Sequence, residues 1–253
     1  MTLLDAFLYF AVALAGGAIN SVAGGGTFLT FPMLILNGLS PFTANIVSSI
    51  ALWPGAVASA YAYRHQRVVE KKPMIVLSLA SLIGSAAGAW ILLASPETTF
   101  EFLVPWLMLL ATLIFTFGKH GIALFDLGGH QVSNARLWAG FTLQCIIALY
   151  GGYFGAGMGI MMLAMLQVMG FTDIHRMNAL KTVLGTLINA VAVFIFIFSD
   201  KVVWPVAGVM VVGAIIGGYV GARLALRVSP KKVRWFVSII AFSMTAYFFI
   251  NGV

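Results

Sequence analysis

Carboxylates are the rarest chemistry in this chain. Only seven of 253 residues are Asp or Glu. All seven (Asp5, Glu70, Glu97, Glu101, Asp126, Asp173 and Asp200) fall in predicted loops or at the ends of apolar segments. Proton and cation pathways through a bilayer ordinarily use an embedded carboxylate, so their absence argues against a proton pump or a metal-ion carrier. No embedded His or Asp pair supports a hydrolase mechanism either. The chain therefore reads as no enzyme, with no cofactor and no metal site. Its one cysteine, Cys145, excludes an internal disulfide. The N-terminus lacks a basic stretch and carries Asp5, which argues against a cleaved signal peptide.

Charge of either sign is scarce, at 8% of residues, against roughly 25% in a soluble domain. With 61% hydrophobic residues and a mean hydropathy of +1.03, the chain is an integral membrane protein whose first partner is the lipid bilayer. The net charge of +7 does not point to nucleic acid. Lys and Arg cluster in short loops between apolar segments, where they set orientation.

What is present is a series of apolar runs. Spanning needs about 20 apolar residues, and six plain runs qualify: about 42–63, 73–94, 98–118, 177–198, 202–223 and 233–252. Two longer regions, about 3–38 and 134–170, are interrupted by glycine, the first at Gly24-Gly25-Gly26 and the second in YGGYFGAGMG over 150–159. Basic residues choose between topologies. Arg64, Arg67, Lys71 and Lys72 form one cluster; Arg223, Arg227, Lys231, Lys232 and Arg234 form another. Both belong in the cytoplasm, so an even number of crossings must separate them. Four plain spans lie between, and 134–170 must then enter and return on one side. Arms of about 13–17 residues would reach only ~20–25 Å, short of a ~30 Å core. By analogy 3–38 is a second re-entrant hairpin, opening to the outside. On this topology both termini lie outside, and of the 14 basic residues only Lys201 does.

The halves repeat. AGGGTFLTFPMLILNGLSP (23–41) matches GAGMGIMMLAMLQVMGFTD (155–173) in its order of small residues, apolar arm, Gly and helix start. Downstream, Asn45 pairs with Asn178, Ser48 with Lys181 and Ser49 with Thr182. The expected fold is all-α, with two inverted repeats, each a hairpin followed by three spans. Residues 1–118 form the first repeat, 119–133 a cytoplasmic linker, and 134–253 the second. Inverted repeats with broken helices near the midplane are a signature of secondary transporters, although a channel could share it.

Broken helices expose N–H groups at the positive end of the helix dipole, which favours an anion. Two hairpins meeting tip to tip would bring Gly24, Gly25 and Gly26 close to Gly155, Ala156 and Gly157. Asn20, Ser21 and Thr27 could add donors. Lys181, capped by Thr172 or Asp173 and so ~12 Å into its helix, could attract a negative substrate, with Asn45, Ser48, Asn178 and Thr182 beside it. The competing readings are that the glycines serve helix packing, as expected for Gly217-Gly218, and that Lys181 snorkels to the interface. The six tryptophans mostly suit interfacial positions, and Trp53-Pro54-Gly55 reads as a local kink.

INSVAGGGTFLTFPMLILNGLSP, YGGYFGAGMGIMMLAML and DIHRMNALK together resemble the TauE/SafE sulfite exporter family over essentially the whole chain. The resemblance implies a multi-pass transporter of the bacterial inner membrane that moves a small sulfur-containing anion, such as sulfite or sulfoacetate, outward. A homodimer is compatible with it. An anion channel on the same scaffold, or a membrane protein that transports nothing, are the rival expectations. The topology is directly testable. In a Cys145→Ala background, Val68→Cys and Pro230→Cys should both react with a membrane-impermeant thiol reagent only from the cytoplasmic face. Labelling from opposite faces would refute the re-entrant assignment.

Overall fold

The computed structural model describes residues 2–62, 71–123, 134–224 and 230–252. Arg64, Arg67, Glu70, Asp126, Arg227 and most of the linker expected at 119–133 lie outside the described residues. The described residues form ten helices: α1 Leu3–Val22, α2 Thr27–Leu36, α3 Pro41–Ala62, α4 Lys71–Ala94, α5 Glu97–Ala123, α6 Asn134–Tyr153, α7 Met158–Val168, α8 Ile174–Ile197, α9 Trp204–Leu224 and α10 Pro230–Asn251. Helix ends follow local chemistry. Thr2 and Asp5 form a reciprocal capping box at the start of α1, each side chain accepting the other's backbone N–H at 3.2 and 2.7 Å. Pro41 opens α3, where its fixed φ suits the first helical turn.

Among the described residues, seven helices are long and apolar enough to cross a membrane: α1, α3, α4, α5, α8, α9 and α10. Six are the plain spans expected from the sequence. The seventh, α1, is the first arm of a hairpin, and it corrects the expected arm lengths. Both first arms, α1 and α6, have 20 residues, about 30 Å of helix. The second arms, α2 and α7, have 10 and 11, only about 15–17 Å. The arms are unequal because the helix does not break at every glycine. It runs through Gly16-Gly17 and Gly151-Gly152, which are buried against neighbouring elements, and stops only at 23–26 and 154–157. Each short arm ends in the same way. Gly38 (φ +88°) and Gly170 (φ +99°) reverse the chain, and the N–H of Leu39 and of Phe171 bond back to Leu34 O (3.1 Å) and Leu166 O (3.0 Å). These are Schellman closures in which the left-handed position favours glycine.

The packing is reciprocal. Helix α1 lies along α9 and α6 along α4; α3 packs on α9 and α8 on α4; α3 meets α8, and α5 meets α10. Exchanging α1–α5 with α6–α10 swaps the first two pairs with each other and the next two with each other, and returns α3–α8 and α5–α10 to themselves. Both long crossings are glycine-lined. Gly213, Gly217 and Gly221 of α9 meet Phe10, Leu14 and Ala18 of α1 in ascending order, so these helices run parallel. Gly84 and Gly88 of α4 meet Cys145 and Leu149 of α6 in the same sense. A Cβ on Gly217 would collide with the Leu14 carbonyl, and one on Gly218 with that of Gly55. The expected packing role of Gly217-Gly218 is therefore seen. Lipid gives helices no hydrophobic reason to associate, so close backbone approach supplies the attraction.

Two polar contacts tie loops at opposite ends of the bundle. Lys201, after α8, bonds Glu97 at the start of α5 at 2.5 Å, and Lys72 in α4 bonds Asn134 at the start of α6 at 2.9 Å. The start of α3 lies at the Glu97 end, since the Phe42 and Phe100 rings are 5.9 Å apart. Because α8 also finishes there, α3 and α8 are antiparallel. Trp90, Trp106, Trp138, Trp204 and Trp235 are exposed, as suits a lipid-facing surface. Trp53 is different: it is half-buried and its indole N–H donates to Thr186 O (3.2 Å), where α3 crosses α8. Gly55, two residues on, lies against Ala214 of α9. The Trp53-Pro54-Gly55 stretch is thus a three-helix crossing point.

The glycine crossings can be tested by stability. Gly217→Val forces the α1–α9 backbones apart and should destabilise the detergent-solubilised protein by about 1–3 kcal/mol, read as a fall in thermal midpoint. Gly208→Ala, in the same helix with open space around it, should leave the midpoint unchanged or slightly higher.

Candidate functional site

The two breaks come together. Gly24, with φ +78° at the end of α1, lies against Gly159 in the first turn of α7: a Cβ on Gly24 would be 3.7 Å from the Gly159 Cα. The tips of the two hairpins are therefore adjacent. Gly155 (φ +80°) and Gly157 (φ +75°) shape the second turn. The tips are secured by bonds to their own backbone. The Gly24 N–H reaches Ile19 O (3.2 Å) and Asn20 O (3.1 Å), the Gly155 N–H reaches Tyr150 O (3.1 Å), and the Tyr150 hydroxyl donates to Ala156 O (2.8 Å).

Between the tips and the facing sides of α3 and α8 lies a cavity. The space open to the centre of a water molecule is about 60 Å³. That is several times the roughly 10–15 Å³ one water needs, so a small anion fits. Its walls bring together Asn20, Ser21, Gly24, Thr27, Gly155, Lys181 and Thr182 from the residues expected at the site. The first turns of α2, at Thr27, and of α7, at Met158 and Gly159, border it. The helix dipole places its positive end at each start, while the N–H groups of Phe28, Leu29, Met158 and Ile160 bond back to Gly25 O (3.2 Å), Gly26 O (3.0 Å), Gly155 O (3.4 Å) and Gly157 O (3.1 Å).

Lys181 is the only ionisable side chain among the described residues that line this cavity. It is 7% exposed, and its stem lies beside the backbone of Gly159, where a Cβ would be 3.4 Å from Lys181 Cδ. Asp173 accepts the Arg176 N–H (3.4 Å) and forms an ion pair with its guanidinium at 3.4 Å. This caps the start of α8 and sets Lys181 about 12 Å along it. The His175 side chain lies outside the described residues.

The other expected residues lie behind the cavity wall. Gly25 and Gly26 are buried in packing: a Cβ on Gly25 would be 2.7 Å from the Phe115 ring, and one on Gly26 would collide with the Gly16 carbonyl. Ala156 is buried, and Gly157 faces Ala111. Asn45 donates through Nδ2 to Tyr153 O (2.9 Å), holding the end of α6. Ser48 Oγ lies 2.6 Å from Thr30 Oγ1, which bonds Gly26 O at 3.3 Å, so it ties the first hairpin to α3. Asn178 contributes its carbonyl, which accepts the Thr182 hydroxyl (2.8 Å). Cavity-lining residues outside the expected set include Ser49, Ser59, Thr186, Asn189 and Gly159. The residues of α3 and α8 among them recur at helical spacing from Ser49 and Lys181, so a face drawn from those two would have found them.

Seven helices long and apolar enough to cross a bilayer among the described residues, with two short ones beside a polar cavity, define a multi-pass membrane protein. The chain belongs to a membrane transporter family: residues 9–248 match the family described as "Sulfite exporter TauE/SafE". A "Probable membrane transporter protein" of Haemophilus influenzae is 27% identical over 240 residues, which cover 94% of this chain and 92% of that one. "Probable membrane transporter protein YfcA" of Escherichia coli is 27% identical over 247 residues, covering 96% and 89%. "Probable membrane transporter protein ORF9" of a Sinorhizobium species is 26% identical, covering 95% and 90%. No solved structure matches significantly.

The hydrogen bond that closes the second tip yields a prediction. Tyr150→Phe deletes the donor to Ala156 O and should cost about 1 kcal/mol of stability, seen as a lower thermal midpoint in detergent. An unchanged midpoint would mean that the tip does not depend on this bond.

Proposed function

We propose that this chain is a secondary transporter that exports a small sulfur-containing anion, sulfite or a sulfonate such as sulfoacetate, from the bacterial cytoplasm. The observation that carries this reading is Lys181 in the wall of a cavity bordered by the first turns of α2 and α7, with no acidic residue among the described lining. An ammonium and two positive helix ends favour an anion, and oxyanions offer several acceptor oxygens to N–H and hydroxyl donors.

The short arms support a site deep in the bilayer. At about 15–17 Å, α2 and α7 reach roughly halfway through a ~30 Å core. On the charge-derived topology α2 returns to the outer face and α7 to the inner one, so the two halves are inverted repeats. The loop contacts agree with it. Glu97 and Lys201 are both assigned outside, and Lys72 and Asn134 both inside. Transport would proceed by alternating access, one half rocking against the other around the cavity. The chain would sit in the inner membrane with both termini outside. A membrane potential negative inside drives an anion outward by about 2.3 kcal/mol per charge per 100 mV, so export needs no coupling carboxylate.

Purified protein in vesicles tests this. Wild type should bind sulfite or sulfoacetate saturably and show counterflow of labelled substrate in preloaded vesicles. Lys181→Met should weaken binding at least tenfold, and Lys181→Arg should retain part of it. Normal flux in Lys181→Met would remove Lys181 from the site. Non-saturating flux without counterflow would replace the transporter with a channel.

A further inference from the structure

Ser59 is an anomaly. It is 3% exposed, and its hydroxyl is buried with no hydrogen-bond partner among the described residues, yet it lines the cavity. Most buried polar groups are paired, and an unpaired one costs more than a paired one contributes. Serines in membrane helices ordinarily satisfy themselves on the carbonyl one turn back, as Ser81 does on Leu77 O (2.8 Å) and Ser95 on Ile91 O (2.7 Å). Ser21, also in the cavity wall, donates to Ala18 O at 2.7 Å. Ser59 does none of this.

Its position says what it waits for. Helices α3 and α8 are antiparallel, with Trp53 opposite Thr186. Stepping along both from that contact brings Ser59 level with Leu180 and Lys181, and Ser49 level with Asn189 and its neighbour. The cavity thus has two unlike ends. One joins the Lys181 ammonium to an unsatisfied hydroxyl; the other carries only the neutral groups Ser49 and Asn189.

We propose that Ser59 is a specificity-determining residue of the anion site: its hydroxyl donates to a substrate oxygen held at the same end of the cavity by Lys181. This rests on the transport reading above and sharpens it. The substrate head needs at least two acceptor oxygens, one for each donor. A halide, with one centre, satisfies the pair less well than an oxyanion. The far end, which has no cation among its described residues, suits a neutral tail better than a second charge.

The inference makes an unusual stability prediction. If the hydroxyl is idle in the empty protein, Ser59→Ala leaves the ligand-free thermal midpoint unchanged or raises it. Binding should nonetheless weaken roughly tenfold, the loss expected for one hydrogen bond to a charged group. The experiment is thermal-shift and calorimetric titration of purified wild type, Ser59→Ala, Ser59→Thr and Lys181→Met with sodium sulfite, sodium sulfoacetate and sodium chloride. Support is an intact ligand-free midpoint in Ser59→Ala with a tenfold weaker oxyanion Kd, an unchanged weak response to chloride, and partial recovery in Ser59→Thr. An unchanged Kd in Ser59→Ala while Lys181→Met abolishes binding overturns the role of Ser59 and leaves the transport site standing. A fall in the ligand-free midpoint of Ser59→Ala makes the hydroxyl structural and also overturns it. Wild-type binding of neither oxyanion, or equal binding by all four proteins, overturns both the inference and the site.

Discussion

A peptide group in hydrocarbon has no water to bond, so each N–H and C=O must find a protein partner or line a cavity. Most of this molecule meets that demand with unbroken helix. At 23–26 and 154–157 it cannot, and the structure around those two stretches is organised to compensate. Gly24 and Gly155 turn their N–H groups back onto the preceding helix. Tyr150 and Asn45 take up the carbonyls of Ala156 and Tyr153. Beyond these, the leading N–H groups of α2 and α7 belong to first turns that border the cavity. Most of these N–H groups close on the carbonyls of Gly25, Gly26, Gly155 and Gly157, so the breaks are satisfied locally and the cavity lies beside them.

The long first arms of the two hairpins are held by close helix crossings. Helix α1 must lie on α9, and α6 on α4, near enough for backbones to touch. Glycine at 213, 217 and 221 and at 84 and 88 makes that approach physically available. A ring cluster then fixes the second tip. Phe154 packs edge-on against Phe31 at 5.3 Å, and Phe100 against Tyr153 at 5.7 Å. Phe28 packs on Phe115 at 5.2 Å, next to Gly25. The same residues that look like loose filler in composition are the ones that hold the polar site in place.

The electrostatics are spare. Among the described residues that line the cavity, Lys181 is the one ionisable side chain, and the described carboxylates keep to loops and helix ends. Low charge content is a requirement of the lipid, where an ionised side chain is expensive.

The sequence by itself determined a great deal: a membrane protein, six plain spans and two glycine-broken regions. It did so because spanning length, loop charge and glycine content are local properties that the bilayer reads directly. It also pointed to Lys181, since an ionisable side chain inside a span is conspicuous. Which glycines bend the chain and which only pack was not legible. Gly16, Gly17, Gly151 and Gly152 stay helical because neighbours from distant segments press on them, whereas Gly24 and Gly155 turn. Nor could the sequence separate Asn45, a latch on Tyr153, from Asn189, a cavity wall, or single out Ser59. Those distinctions depend on the register of α3 against α8 and on the approach of one hairpin tip to the other, contacts between residues more than a hundred positions apart that only tertiary packing decides.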